Sequence, residues 1–219
     1  MIIDDAKAIT RARAKLRRQL RKLAEIDADI SLALEEYGFP EPRLRGVGFT
    51  MLLHTIVSQQ LSVHAAEAIW QRVCQRFKIL DPPTIRRCRA TTLRGLGLSG
   101  KKVEYVKALA KAFEGKNSKL YDLEACDDEV VIENITAVKG LGRWSAEIYL
   151  LFSLQRKDVF PADDLALQVA LQHLKRRRVK PSAKEARALV ESWAPLRSAG
   201  SLLLWHYYKH AVKGKGSTA

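Results

Sequence analysis

A chain of 219 residues that is 47% apolar and 28% charged has the composition of a folded protein of one large or two small domains, which excludes wholesale disorder. Its 38 Lys and Arg against 24 Asp and Glu leave a net charge of +14, a potential suited to nucleic acid or an anionic surface and hostile to cationic partners. No run of about 18 apolar residues is present to span a membrane. The amino terminus has no basic-then-apolar secretion pattern. Three scattered cysteines, Cys74, Cys88 and Cys126, fit reduced thiols in a cytoplasmic protein, and they exclude a disulfide framework or an iron–sulfur cluster.

Between Asp5 and Ile30, Leu16, Leu20, Leu23, Ile26 and Ile30 recur three or four residues apart, which predicts an amphipathic helix with Arg and Lys on its other faces. Pro40 and Pro42 break that pattern. A long apolar helical stretch starts near Phe49, pauses at Ser58-Gln59-Gln60-Leu61-Ser62 and resumes to Phe77. Pro82-Pro83 open a short helix, and the turn from Gly95 to Gly100 leads into another that ends near Phe113. Asp127-Asp128 cap a helix running to Val138, Gly140-Leu141-Gly142 form a tight turn, and a further helix begins at Arg143. Pro161-Ala162 stop any preceding helix, so Asp163 and Asp164 stand at the start of one through Leu167, Leu171 and Leu174. The tail from Lys213 is expected to fray. No convincing series of alternating strands is present, and the predicted fold is all-α.

The turn at Gly140-Leu141-Gly142 is the most informative segment. Glycine lets a phosphate approach the backbone without a Cβ in the way, and the first amides of the helix at Arg143 point outward with the positive helix end behind them. Such a hairpin holds a DNA phosphate without reading sequence. A plain helical hairpin with a glycine cap is the alternative. The Asp163-Asp164 pair has two readings as well: helix caps, or a carboxylate placed to stabilise positive charge. His206 and His210 lie four residues apart but lack the acidic partner of a metal-binding helix.

Four segments together carry a resemblance: Ile56-Val-Ser-Gln-Gln-Leu-Ser-Val63, Gly142-Arg-Trp-Ser-Ala146, Asp158-Val-Phe-Pro-Ala-Asp-Asp164 and Trp193-Ala-Pro-Leu-Arg-Ser198. In this order they resemble the HhH-GPD superfamily of DNA glycosylases, and within it the 3-methyladenine glycosylase II (AlkA-like) group. The likeness runs from Phe49 to Trp205. It implies a two-lobed helical fold without a β-rich amino-terminal domain. The middle lobe would be residues 50–163, with the helix-hairpin-helix at about 130–154; residues 1–49 and 164–219 would form the other, with a catalytic cleft between the two.

The resemblance places the catalytic carboxylate on Asp164, with Asp163 as the cap or a supporting residue. Trp144, Trp205, Tyr149 and Asp163 would line the base pocket, its third wall being Ile148 or Tyr149. Trp144 stands where bifunctional relatives carry a Schiff-base lysine, which implies a monofunctional enzyme. Gln59, Gln60 and Leu61 fall on the segment that enters the duplex, with Gln60 or Leu61 as the wedge. Lys139, Gly140, Gly142, Arg143, Ser99 and Lys101 are candidate phosphate contacts; Arg45, Lys102 and the Lys175–Arg178 run are further ones. The carbonyls of Thr136, Val138 and Leu141 would hold a monovalent cation, sodium or potassium; no other cofactor is required. The implied activity is hydrolytic excision of alkylated bases from damaged duplex DNA by a monomer. A non-enzymatic DNA-binding hairpin protein and a glycosylase for oxidised or deaminated bases are the alternatives.

Overall fold

The computed structural model describes residues 5–115 and 118–212; the tail from Lys213 lies outside them. The described chain is helical and without a β-strand, and none of its helices is long and apolar enough to cross a membrane. In chain order the helices are α1 (Ala6–Ile26), α2 (Ala28–Tyr37), α3 (Phe49–Ser58), α4 (Val63–Arg76), α5 (Pro82–Arg87), α6 (Ala90–Gly95), α7 (Gly100–Ala112), α8 (Asp128–Thr136), α9 (Arg143–Phe152), α10 (Leu165–Leu174), α11 (Ala183–Leu189) and α12 (Arg197–Tyr207). They fall into two compact units. One is built from Arg45–Leu154, the other from the described residues up to Leu44 together with those from Gln155 onward. The division thus falls earlier than the expected 49/50 and 163/164. The reason is local: Val159, Phe160 and Ala162 are buried, and Ser198 and Ser201 of α12 bond the backbone of Val159.

In the first unit α3 is central. Phe49, Met51, Leu52, Leu53, Ile56 and Val57 are all buried, and α4, α7 and α9 pack around the helix. Its last turn leaves carbonyls without amide partners, and Lys102 Nζ donates to one of them, Val57 O, at 2.7 Å. Lys107 does the same for the end of α5, donating to the carbonyls of Ile85, Arg86 and Cys88. Lys102 therefore has an internal use that corrects its reading as a phosphate contact. Asp127 stands in the capping position just before α8, yet its side chain accepts no amide, contrary to the expected cap.

The second unit corrects the expectation of one helix through Ile30. Asp27 adopts extended backbone (φ −138°, ψ 105°), ends α1 and caps α2 by accepting the Asp29 N–H at 3.1 Å. The break turns Ile26 outward to 59% exposure, whereas Leu16, Leu20, Leu23 and Ile30 are buried as their spacing predicts. The Asp27 carboxylate also accepts both Lys175 Nζ and the Trp193 indole N–H, each at 2.7 Å. Lys175 closes α10, and a second carboxylate, Asp29, reaches it at 2.9 Å. Lys175 is thus a structural cation, not the phosphate contact its basic run suggested. Trp193 is 1% exposed and lies against Gly200 of α12, where a Cβ would come within 2.4 Å of the indole ring.

Burial alone would raise the Asp27 pKa, but the hydrogen bonds from Lys175 and Trp193 outweigh it and hold the group below the ordinary carboxylate value. A depressed folded-state pKa contributes stability above the unfolded pKa, and that stability is lost as pH falls through the folded one. Asp27→Asn keeps the cap and leaves Lys175 short of a charge partner. It should destabilise the fold at pH 7 by about 3 kcal/mol, and urea unfolding of both proteins should show the gap narrowing below about pH 4. A gap independent of pH would mean that the charge of Asp27 does not matter.

Candidate active site

The segment leading to Asp164 is held by α12. Arg197 forms a two-pronged pair with Asp158, Nε to Oδ1 at 2.7 Å and Nη2 to Oδ2 at 2.6 Å, and its backbone N–H also reaches Oδ1 at 3.2 Å. The Arg197 side chain is the main cause of a lowered Asp158 pKa. Ser198 Oγ accepts the Val159 N–H at 2.9 Å and donates to Arg156 O at 2.7 Å. At the other end, Gln168 Nε2 donates to Ala162 O at 2.8 Å. These bonds deliver Asp164 to the mouth of α10.

Asp164 itself, not Asp163, is the cap. Its Oδ1 accepts the Leu167 N–H at 3.1 Å, and its own carbonyl begins the helix by accepting the Gln168 N–H at 3.0 Å. The Asp164 N–H closes a turn onto Pro161 O, which leaves Asp163 outside the helix, exposed and paired with Arg187 at 3.3 Å. The same Asp164 Oδ1 accepts the Trp205 indole N–H at 3.2 Å. Trp205 is half-buried on α12, with the Arg43 guanidinium 5.8 Å from its ring centre. Desolvation draws the Arg43 pKa down while the Asp164 charge opposes that shift. Sequence reasoning missed Arg43, which sits in the irregular Pro-containing link after α2 where no periodicity marks it. It also passed over the pairing of Asp158 with Arg197, although both lie in motifs it had singled out.

The hairpin belongs to the first unit, between α8 and α9. Gly140 has φ +93°, and a Cβ there would lie 2.2 Å from the Tyr105 ring, so the position admits only glycine. Leu141 N–H closes the turn onto Val138 O at 3.0 Å. Gly142 differs: its backbone is extended, and a Cβ would meet nothing within 4 Å. Open space before the first turn of α9 leaves room for a ligand to approach. The flanking cations have protein partners: Lys139 pairs with Glu104, and Arg143 pairs with Glu147 at 3.1 Å and Glu129 at 3.3 Å. Ser99 caps α7 by accepting the Lys102 N–H at 3.3 Å, and Lys101 is exposed beside it. Arg45 sits 5.1 Å from the Phe152 ring.

Gln59 Nε2 donates to Gly140 O at 2.8 Å, so Gln59 braces the hairpin and is removed from the intercalating set. Gln60 and Leu61 form the exposed tip, Gln60 at φ +54°, a conformation uncommon outside glycine. Trp144 is half-buried on the first turn of α9. Tyr149 is 2% exposed and its hydroxyl accepts the Gly48 N–H at 2.7 Å; Ile148 is buried as well. Neither faces outward, which corrects Tyr149 as a pocket wall: α9 is buried on every face from Ser145 to Phe152. Among the described residues no cluster of His, Cys, Asp or Glu could hold a metal. The hairpin carbonyls of Thr136, Val138 and Leu141 are a different donor set, neutral oxygens of the kind a hard cation takes. Val138 O keeps a lone pair beyond its bond to Leu141.

The chain has relatives among known proteins. The model of the HhH-GPD superfamily base excision DNA repair protein matches residues 53–195. DNA-3-methyladenine glycosylase 1 of Schizosaccharomyces pombe is 34% identical over 164 residues, covering 73% of this chain and 72% of its own. DNA-3-methyladenine glycosylase 2 of Escherichia coli is 30% identical over 190 residues, covering 80% of this chain and 64% of its own. The solved structure of an S. pombe 3-methyladenine DNA glycosylase in complex with abasic DNA superposes with a TM-score of 0.81 at 29% identity, over 88% of this chain and 97% of that one. A DNA-3-methyladenine glycosidase from Bacillus halodurans gives 0.75 at 29% identity, over 89% and 91%. With most of its length inside the family match, the chain belongs to the HhH-GPD superfamily of base excision DNA repair proteins.

Proposed function

We propose that the protein is a monofunctional DNA glycosylase that excises alkylated purines, of the 3-methyladenine and 7-methylguanine type, from damaged duplex DNA. The observation that carries this reading is Asp164, held at the start of α10 by Leu167 N–H and Trp205 Nε1–H on one oxygen. The relatives' names and the abasic-DNA complex support the same activity.

In the reaction the N-glycosidic bond breaks with its electron pair leaving on the base, and positive charge develops on the deoxyribose. Asp164 supplies a fixed negative charge for that transition state and orients the attacking water, whose oxygen takes the place of the base on C1′ as its proton passes to the Asp164 carboxylate. An N3- or N7-alkylated purine is already cationic, so it departs without a strong general acid, and an indole face such as that of Trp205 or Trp144 favours it by cation–π attraction. Trp144 in place of an amine leaves no imine-forming nucleophile. The α9 amides beyond the open Gly142 bind a phosphate. Lys139 and Arg143 assist: the exposed pairs with Glu104 and Glu129 are weak and exchange readily for a phosphate, while the Arg143 bond to the buried Glu147 holds its guanidinium in place. The Thr136, Val138 and Leu141 carbonyls would hold sodium or potassium, which when bound supplies a fixed positive charge at the hairpin. Gln60 and Leu61 enter the space left by the flipped base. We place the protein in the cytoplasm, a reading supported by three separated cysteines that form no disulfide among the described residues, and read it as a monomer.

Asp164→Asn preserves the cap and removes the charge, so single-turnover release of a methylated purine should fall by on the order of 10²- to 10³-fold with duplex affinity retained. Asp163→Asn should remain within a fewfold of the unaltered protein. Two active variants would overturn the carboxylate mechanism. Borohydride added during turnover should trap no protein–DNA adduct, and abundant trapping would mean that an amine attacks the sugar. Gly142→Val should leave thermal stability unchanged, since the site is open, while weakening duplex binding about tenfold, the value of about one charge-assisted hydrogen bond. Undiminished binding would show the hairpin to be a structural turn only.

A further inference from the structure

We propose that the outer face of α1 is a second phosphate-binding surface, which grips duplex DNA without reading sequence or damage and lies on a different unit from the hairpin. Its partner is chosen on the glycosylase reading above; the surface itself stands on charge and geometry. Ala6–Ile26 carries eight Lys and Arg against one carboxylate, Glu25, which is half of the net charge of the whole chain. Leu16, Leu20 and Leu23 are buried, so the cations are driven to the other faces, and Arg11, Lys15, Arg17, Arg18, Arg21 and Lys22 are exposed.

Like charges four residues apart, as at Arg13, Arg17 and Arg21, oppose helix formation, and the fold offers little internal compensation. Arg13 reaches Glu41 through Nε at 2.9 Å and Nη2 at 2.7 Å. Among the described residues no carboxylate pairs with Arg11, Arg17, Arg18 or Arg21. Phe39 instead gathers two of them, with the Arg17 and Arg21 guanidinia 5.5 and 5.9 Å from its ring centre. A guanidinium laid on a ring keeps its in-plane N–H donors for an outside acceptor, and holding it there in advance lowers the entropy lost on binding. Thr10, Arg11, Arg13, Arg17, Arg18 and Arg21 line a groove of about 580 Å³. The spacing of four residues repeats every ~6 Å along α1, so the cations form a line and not a point, which fits a polyanion. An anionic membrane fits less well, because a surface helix enters lipid with its apolar face, and that of α1 is spent on the protein core.

The test replaces Arg11, Arg17, Arg18 and Arg21 together, once by Gln and once by Lys, in the full chain. Both substitutes form helix well at exposed sites, and a thermal melt checks the fold. Binding to a short undamaged duplex is followed as a function of salt. The Gln variant should lower the steepness of log K against log salt by about 2 to 4 and weaken binding at low salt by about tenfold or more. The Lys variant should keep the slope of the unaltered protein. An unchanged slope in the Gln variant overturns the proposal. So does a Lys variant as weak as the Gln variant, since charge would then not be what binds. Loss of single-stranded RNA binding with the duplex slope intact would assign the face to another polyanion and overturn it equally. Base release by the unaltered protein is scored separately. No release together with a reduced Gln slope would sink the glycosylase reading and leave α1 standing, and the converse would sink α1 alone.

Discussion

The two-pronged bond between Arg197 and Asp158 is what turns a helix cap into a site. Asp164 would cap α10 in any case, because an aspartate after Pro161-Ala162 is a good helix start. Its meeting with Trp205 is not guaranteed by α10. It requires α12 to be fixed against the segment that precedes Asp164, and Arg197 does this at the first residue of α12, by side chain and backbone at once. Ser198 and Ser201 repeat the attachment on Val159. A paired, planar guanidinium is a stiffer tether than a single hydrogen bond, since two parallel contacts fix angle as well as distance. The indole eight residues further along α12 then falls on the Asp164 oxygen.

Charge in this chain is divided by use. A net +14 suggests a surface dressed uniformly for an outside anion, yet several cations are used within the fold. Lys102 and Lys107 close helix ends on carbonyls, and Lys175 is locked between Asp27 and Asp29. A lysine at a helix carboxyl end satisfies carbonyls that the helix itself leaves without amide partners. Exposed cations lie on α1, around the hairpin, at Arg86, Arg87, Arg89 and Arg94, and at Arg176, Arg177 and Arg178.

The helices were largely readable because their apolar residues recur at helical spacing and because Gly and Pro punctuate them. The break at Asp27 was not, since aspartate in a helical pattern ordinarily reads as a solvated position. Only the arrival of Lys175 and Trp193, far along the chain, makes an extended backbone there the better state. The same limit governs the site. The resemblance alone picks out Trp205, and it selects Asp164 from an aspartate pair that local chemistry leaves open, whereas Gly140 stands out by its turn. The error over which aspartate caps α10 came from a single-residue offset that the turn onto Pro161 decides. Tyr149 reads as a pocket aromatic by position, but its hydroxyl has a partner about a hundred residues away in Gly48, and no local pattern announces that.

Each functional element is made ready by bonds inside its own unit. Tyr105 and Gln59 set the hairpin, one by excluding any side chain at Gly140, the other by holding its carbonyl. Arg197 and Trp205 set the carboxylate. Preorganisation of this kind removes the reorganisation that water would have to undergo at the moment of charge development, which is where electrostatic catalysis gains its advantage. It also makes demands on stability, because polar groups fixed for an incoming ligand cannot relax toward one another. In the second unit the Asp27–Lys175–Trp193 cluster offsets that demand. It joins the end of α1, the start of α2, the end of α10 and the ring that α12 packs against, so the two helices that carry Asp164 and Trp205 are anchored at a point away from the chemistry. Substitutions at Asp27 therefore act on the proposed site through the fold, whereas Asp164→Asn, which keeps the cap on α10, changes the charge there and little else.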